Sequence, residues 1–107
     1  QASLRGTTSR ELDHVRSVIQ DRYRGKLVDV VGHTDSDPIK KTAKLWKDNW
    51  ELSAQRALTV LRYLNNKGIP SERIRAVACG QSRPVASNST AAGKAKNRRV
   101  EIVVHMR

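Results

Sequence analysis

A short apolar run, residues 26–31, constrains the fold of this chain more than any other stretch. The run is nearly continuous, is broken only by Asp29 and is rich in β-branched residues, so its composition and length predict an inner β-strand. Apolar residues recur at helical spacing on both sides of it, first at Leu12, Val15, Ile19 and Tyr23, and later at Ala57, Val60, Leu61 and Leu64. A strand between two amphipathic helices predicts an α/β domain with helices covering the sheet.

The rest of the chain continues this alternation of helices and strands. We predict helices over residues 9–23, 49–66 and 90–96, and strands over residues 26–31, 74–80 and 99–106. Residues 32–48 read as a long loop with room for a helical turn at residues 42–46, and residues 69–73 as a turn with a short helical start. The predicted fold is an α/β two-layer sandwich, with a three- to four-stranded mixed sheet and helices on one face.

Length and charge limit the possible functions. A chain of 107 residues predicts one domain, spanning residues 1–107, in which residues 1–7 show little pattern and form a poorly ordered lead-in. The net charge of +11 favours an anionic partner, and a basic nucleic-acid-binding module is one alternative. We expect no nucleic acid as the main partner, because few aromatic residues are present for base stacking.

Segments outside this chain would supply any link to a membrane. The chain contains no apolar run of the length that spans a bilayer, and it begins at Gln1, so we expect it to be a fragment of a longer protein. An export signal or anchor would then lie outside it.

Opposite charges follow the end of the first inner strand and the start of the second helix. Asp35 leaves the strand end, while Asn49, Ser53 and Arg56 share one edge of the helix by their spacing. If the helix folds back on the strand, Asp35 and Arg56 face one space that suits a ligand carrying both an ammonium and a carboxylate. A structural ion pair between the two residues, without a ligand, is the alternative, and a solvated helix flank is another.

Other chemistry finds less support in the sequence. His33, Asp35 and Asp37 alternate along an extended segment, but a metal site wants more ligands with supporting contacts, so we expect no metal. No nucleophile stands beside a base, and no phosphate-binding or dinucleotide-binding glycine pattern occurs. We therefore expect neither an enzyme nor a bound cofactor. Two adjacent arginines, Arg98 and Arg99, open the last strand; one would face solvent while the other reaches the pocket.

These motifs together resemble the OmpA-like C-terminal domain. The resemblance rests on Gly32-His33-Thr34-Asp35, on the run from Asn49 to Ala57, on Gly68-Ile69, on Gly80, Pro84, Asn88 and Gly93, and on Asn97 to Ile102. It covers roughly residues 8–107, and the Asn-Trp-Glu-Leu-Ser form of the second motif is most similar to the MotB branch of the family.

The resemblance implies a non-catalytic domain of the periplasm or cell envelope that anchors a larger protein to the cell wall by binding peptidoglycan. Its ligand would be the diaminopimelate of the stem peptide. Asp35 would hold the ammonium and Arg56 the carboxylate, Asn49 and Arg98 would line the pocket, and Thr34 and Leu52 would be neighbours. Relatives of the stator type also imply a possible homodimer.

Two features of this chain depart from the family pattern. The strand that usually precedes the first helix is missing from the sequence pattern, or residues 3–6 supply a poor one. The basic loop at residues 40–47 is longer than in the short-loop branch, and its lysines would either attract wall polymers or restrict the pocket.

Overall fold

The computed structural model of the protein describes residues 2–5, 9–39 and 46–106, with residues 2–5 as backbone only. The elements in this part of the chain are β1 (Ala2–Arg5), α1 (Ser9–Arg22), β2 (Leu27–His33), α2 (Asn49–Asn66), β3 (Ile74–Ala78), α3 (Ala91–Asn97) and β4 (Arg99–His105). A single 3₁₀ turn at Ser71–Arg73 precedes β3. The predicted helical turn at residues 42–46 lies outside the described residues except for Trp46.

The described strands form one mixed sheet in the order β1-β4-β2-β3. β2 runs parallel to β3 and antiparallel to β4. The parallel pair is joined through α2, because parallel neighbours need a crossover connection. The predicted α/β fold with a mixed sheet is therefore confirmed.

The outer strand β1 differs from the poorly ordered lead-in that the sequence predicts for residues 1–7. Its backbone pairs antiparallel with β4, from Ala2 opposite Val104 to Arg5 opposite Glu101. The poor strand considered at residues 3–6 thus exists, one residue earlier. An edge strand gains its place through backbone pairing with one neighbour, which leaves little pattern in its side chains.

Helices α1 and α2 pack on the same face of the sheet. Alternate residues of β2 and β4 point to that face and share one apolar core with both helices. The fully buried members of this core are Ile19, Val28, Val30, Ala57, Leu64, Ile69, Ile102 and Val104. The apolar stripes predicted for both helices are therefore the surfaces that cover the sheet.

The ends of the elements follow from local chemistry. Asp48 caps α2, because its carboxylate accepts a hydrogen bond from the Glu51 amide at 3.0 Å. Gly25 follows α1 with a φ of 77°, a conformation that favours glycine.

β2 continues two residues beyond its predicted end, through Gly32 and His33. Glycine is required at this point because α2 crosses the strand at very short range. A Cβ added to Gly32 would lie 2.0 Å from the backbone oxygen of Ser53. The backbones of β2 and α2 therefore touch directly where the strand enters the long loop.

We expect Gly32→Ala to lower the free energy of unfolding by about 2 kcal/mol or more, because backbone atoms of α2 must move to admit the methyl group. Gly25→Ala is the matched control: nothing lies within 4 Å of its Cβ position, and its cost comes from backbone conformation alone. Denaturant titration of both variants measures the difference. A Gly32→Ala cost no larger than that of Gly25→Ala would contradict the close contact.

The opposite face of the sheet carries a charged ladder centred on Asp29. The Asp29 carboxylate accepts hydrogen bonds from Arg75 Nε at 2.5 Å and Nη2 at 3.1 Å, and lies 2.9 Å from His105 Nε2. Burial acts to raise the pKa of Asp29, but the bonds from Arg75 and His105 outweigh it and hold the pKa below its ordinary value. The ladder ties β3, β2 and β4 together across the sheet.

Asp29→Asn is expected to destabilise the domain most near neutral pH. Since the folded-state pKa lies below the ordinary value of 3.8, the carboxylate contributes stability above that pH and loses it as the pH falls further. The difference in unfolding free energy between parent and variant should shrink as the pH is lowered below about 4. Asp21→Asn, at an exposed residue of α1, is the control and should change stability by no more than about 0.5 kcal/mol at neutral pH. A parent–Asp29→Asn difference that is constant from pH 7 to 3 would refute the role of the carboxylate.

Candidate functional site

Asp35 lies just beyond the end of β2, where the chain leaves the sheet. The Thr34 amide donates to the Gly80 carbonyl at 2.8 Å, and the Cys79 amide donates to the Gly32 carbonyl at 3.0 Å. Backbone pairing between the two chain segments therefore continues past the ends of β2 and β3. This pairing fixes the position from which the Asp35 side chain projects.

The Asp35 carboxylate forms an ion pair with Arg98, the residue between α3 and β4. Arg98 Nη1 donates to Asp35 Oδ2 at 2.6 Å, and the Asp37 amide donates to Asp35 Oδ1 at 3.0 Å. The Asp35 side chain is 10% exposed, whereas that of Arg98 is 45% exposed. The carboxylate thus accepts a backbone hydrogen bond at one oxygen and pairs with a solvent-accessible guanidinium at the other.

Arg56 approaches the same place from α2. Its Nη1 donates to the His33 carbonyl at 3.5 Å, two residues before Asp35. Burial lowers the pKa of the Arg56 guanidinium, the positive charge of Arg98 lowers it further, and the Asp35 carboxylate opposes both effects. Arg56 therefore lies within electrostatic reach of both charged groups.

The ion pair differs from the one that the sequence offers as an alternative to a ligand site. Among the described residues, Asp35 pairs with Arg98, and no ion pair joins it to Arg56. The structure brings Asp35, Arg56 and Arg98 to one place, and the sequence does not predict which arginine pairs with the carboxylate.

Asn49 and Thr34 hold the backbone around Asp35. The Asn49 side-chain amide donates to the carbonyls of Asp35 at 3.4 Å and Asp37 at 3.1 Å. The same amide lies 3.1 Å from the Gln81 side-chain oxygen, and the Thr34 hydroxyl donates to the Asp35 carbonyl at 2.8 Å. These two residues act on the position of Asp35 through its backbone.

A groove of about 440 Å³ runs beside the charged cluster. Three of the predicted site residues, Leu52, Arg56 and Arg98, line it together with Trp46, Gln55, Thr59, Val60, Arg99 and Val100. Asn49 lines a separate groove of about 790 Å³ that also contains Trp50 and Gln81. Four of the six predicted residues therefore line these two grooves, and both guanidinium groups belong to the first groove.

The expectation that one of the two adjacent arginines faces solvent while the other reaches the pocket is wrong, because Arg98 does both and Arg99 does not face solvent. It is buried, and its guanidinium donates to the Glu101 carboxylate, to the Asn97 carbonyl at 3.2 Å and to the Arg83 carbonyl at 3.0 Å. These acceptors compensate the buried charge, so Arg99 is a structural residue at the start of β4. Arg98, the half-exposed member of the pair, is the one that reaches Asp35.

Asn97 organises the loop beside Arg98. It is fully buried, its side-chain oxygen accepts from the amides of Val85 and Ala86, and its side-chain nitrogen donates to Ala86 and Asn88. Asn88 in turn accepts from the Ser36 amide at 3.3 Å, next to Asp35. The backbone next to Arg98 is therefore anchored by the hydrogen bonds of Asn97.

Sequence reasoning assigned no site role to Lys94 or Gln81. Lys94 Nζ lies 3.0 Å from Asp37 Oδ1, and Gln81 contacts Asn49. Their sequence context is that of ordinary polar loop or helix residues, and only the folded chain brings them to the site. Ser53, predicted at the edge of α2, is fully buried and its hydroxyl accepts from the Gly80 amide at 2.9 Å, so it holds the β3 loop.

Within residues 9–39 and 46–106, no cluster of three His, Cys, Asp or Glu side chains has a geometry that would hold a metal ion. In the same part of the chain, no helix combines the length and the apolar character needed to cross a bilayer.

Comparison with known proteins gives a consistent family assignment. The model of the OmpA family matches residues 1–98. The chain is 40% identical over 103 residues to the probable lipoprotein YiaD of Escherichia coli, covering 96% of this chain and 44% of that protein. It is 53% identical over 57 residues to the peptidoglycan-binding protein ArfA of Mycobacterium tuberculosis, covering 53% of this chain and 18% of that protein. The chain therefore spans less than half the length of these curated relatives.

Solved structures show the same fold. A putative MotB-like protein from Desulfovibrio vulgaris superimposes with a TM-score of 0.83 at 35% identity, covering 92% of this chain and 62% of that one. The cell wall anchor of the T6SS from Pseudomonas aeruginosa superimposes with a TM-score of 0.80 at 30% identity, covering 98% of this chain and 80% of that one.

We expect Asn97→Ala to lower the free energy of unfolding by about 2 kcal/mol or more, because it removes the acceptor of the Val85 and Ala86 amides and empties a fully buried side-chain position. Asn66→Ala, at the exposed end of α2, is the matched control and should change stability by no more than about 0.5 kcal/mol. Thermal or denaturant unfolding measures both. Equal stabilities of the two variants would show that Asn97 does not organise the loop.

Proposed function

Because this chain belongs to the OmpA family, we propose that it is a non-catalytic domain that binds peptidoglycan and anchors a larger envelope protein to the cell wall. The names of two relatives support this proposal, one a peptidoglycan-binding protein and the other a cell wall anchor. The observation that carries it is the convergence of Asp35, Arg56 and Arg98 beside a groove.

The ligand group that fits this convergence is an amino acid head. The free end of diaminopimelate in a stem peptide carries an ammonium and a carboxylate on one carbon. A carboxylate held in place, such as that of Asp35, pairs with the ammonium, and the forked guanidinium of Arg56 pairs with the carboxylate. Asn49 and Thr34 support Asp35, and Leu52 supplies apolar surface in the groove.

Selectivity follows from the same geometry. A lysine in place of diaminopimelate offers an ammonium but lacks the second carboxylate. Arg56 would then face a ligand without a partner for its charge, in a position where burial and Arg98 already disfavour the cation. The domain would therefore distinguish the two kinds of stem peptide.

The cellular setting belongs to the same proposal. A wall-binding domain works in the periplasm or cell envelope, and the anchor or export signal of the larger protein would come from segments outside this chain. A homodimer, as the MotB-like branch implies, stays a prediction.

We expect Asp35→Asn and Arg56→Gln each to weaken binding to purified sacculi about 30-fold or more while leaving the fold intact, since each removes one of the two partly buried charges that pair with the ligand head. Asp21→Asn and Arg62→Gln change the same charges at exposed helix residues and should bind like the parent. Co-sedimentation with sacculi and circular dichroism measure the two properties.

Titration with a diaminopimelate-containing stem peptide, against the lysine-containing peptide as control, identifies the bound group. Equal affinity for both peptides, or sacculus binding by both site variants at the level of the parent, would refute this proposal. Nucleic-acid binding, the alternative drawn from the net charge of +11, predicts instead a steep loss of affinity with salt and no effect of Asp35→Asn.

A further inference from the structure

The charges around Asp35 do not balance. Two guanidinium groups, those of Arg56 and Arg98, lie at one carboxylate. Two other cations near the site have their own acceptors: Lys94 pairs with Asp37, and Arg99 pairs with Glu101. The site among the described residues therefore carries one positive charge more than it neutralises.

The excess charge acts on Arg56. Its guanidinium is held at the His33 carbonyl, and burial followed by the charge of Arg98 lowers its pKa. A zwitterionic ligand head brings one charge of each sign and leaves the excess unchanged. A ligand with two carboxylates and one ammonium neutralises the site.

Arg98 is placed to change partners. Its side chain is 45% exposed, whereas the Asp35 side chain that it contacts is 10% exposed. An ammonium that approaches Asp35 competes with Arg98 for Oδ2, the oxygen that Arg98 now occupies at 2.6 Å. A long, half-exposed arginine can turn from Asp35 toward the groove, which it already lines beside Arg56 and Leu52.

We propose that Arg98 forms a second carboxylate subsite, so that the domain binds a stem peptide through two carboxylates, one at Arg56 and one at Arg98. This inference rests on the proposed function and refines it. The ligand ammonium takes the place of Arg98 at Asp35, and the released guanidinium pairs with the second carboxylate. In a stem peptide that carboxylate is the free α-carboxylate of the γ-linked glutamate next to diaminopimelate.

Amidation is the modification that this subsite would reject. An α-amide has the size of a carboxylate but no charge, so Arg98 would give up its ion pair with Asp35 for a weaker neutral contact. Charge-assisted guanidinium–carboxylate bonds are roughly twice as strong as neutral ones. The state of this one group would then decide which parts of a wall the domain binds well.

The test compares two synthetic stem peptides that both contain diaminopimelate and differ only in a free or amidated glutamate α-carboxyl group. We expect the parent to bind the free form about tenfold more tightly at fixed ionic strength, measured by calorimetry. Arg98→Gln should lower this preference to about one. Arg98→Lys, which keeps the charge but not the fork, should retain part of the preference.

Lys96→Gln removes the same charge from an exposed residue of α3 and should keep the full preference. Equal affinity of the parent for both peptides, or a preference that survives in Arg98→Gln, overturns the subsite and leaves the proposed function standing. A parent that binds neither peptide overturns the proposed function and this inference together.

Discussion

The direct backbone contact between Gly32 and Ser53 determines the geometry of the site. It lies where β2 ends, so His33 and Asp35 follow it at once on the strand side. On the helix side, Arg56 comes three residues after Ser53, about one helical turn. The separation between the acidic and basic partners is therefore set by main-chain atoms, and a side chain at Gly32 would push them apart.

The site is held in place by side chains that form hydrogen bonds with the backbone around it. Ser53 fixes the loop after β3, Asn49 and Thr34 hold the carbonyl of Asp35, and Asn97 orders the loop beside Arg98. Each forms its hydrogen bond with a backbone group, so these four residues do not occupy the carboxylate of Asp35 or the guanidinium groups of the two arginines. The site thus holds two guanidinium groups at one carboxylate, and its ion pair has a half-exposed member, Arg98.

The long helices and strands, and the charged residues to examine as a site, could be predicted from the sequence. α2 occupies the predicted residues 49–66, because its apolar stripe and its Asp48 cap agree with each other. The partner of Asp35 was not accessible, because Arg56 and Arg98 both carry a suitable charge and only the fold decides which one lies closer. β1 was predicted only as a poor strand at residues 3–6, and the burial of Arg99 was not predicted, for a related reason: both depend on contacts with segments distant in the chain.

Antiparallel pairing of β1 with β4 places Ala2 beside Val104, at the end of the sheet remote from Asp35. The site lies at the other end, where His33 pairs with Arg99. A strand of seven residues, the length of β4, separates the two ends by about 23 Å. A pulling force between a ligand held at the site and the remote ends of β1 and β4 would run along the strands. It would then shear many hydrogen bonds of the sheet at once, whereas a force across the strands would open them one after another.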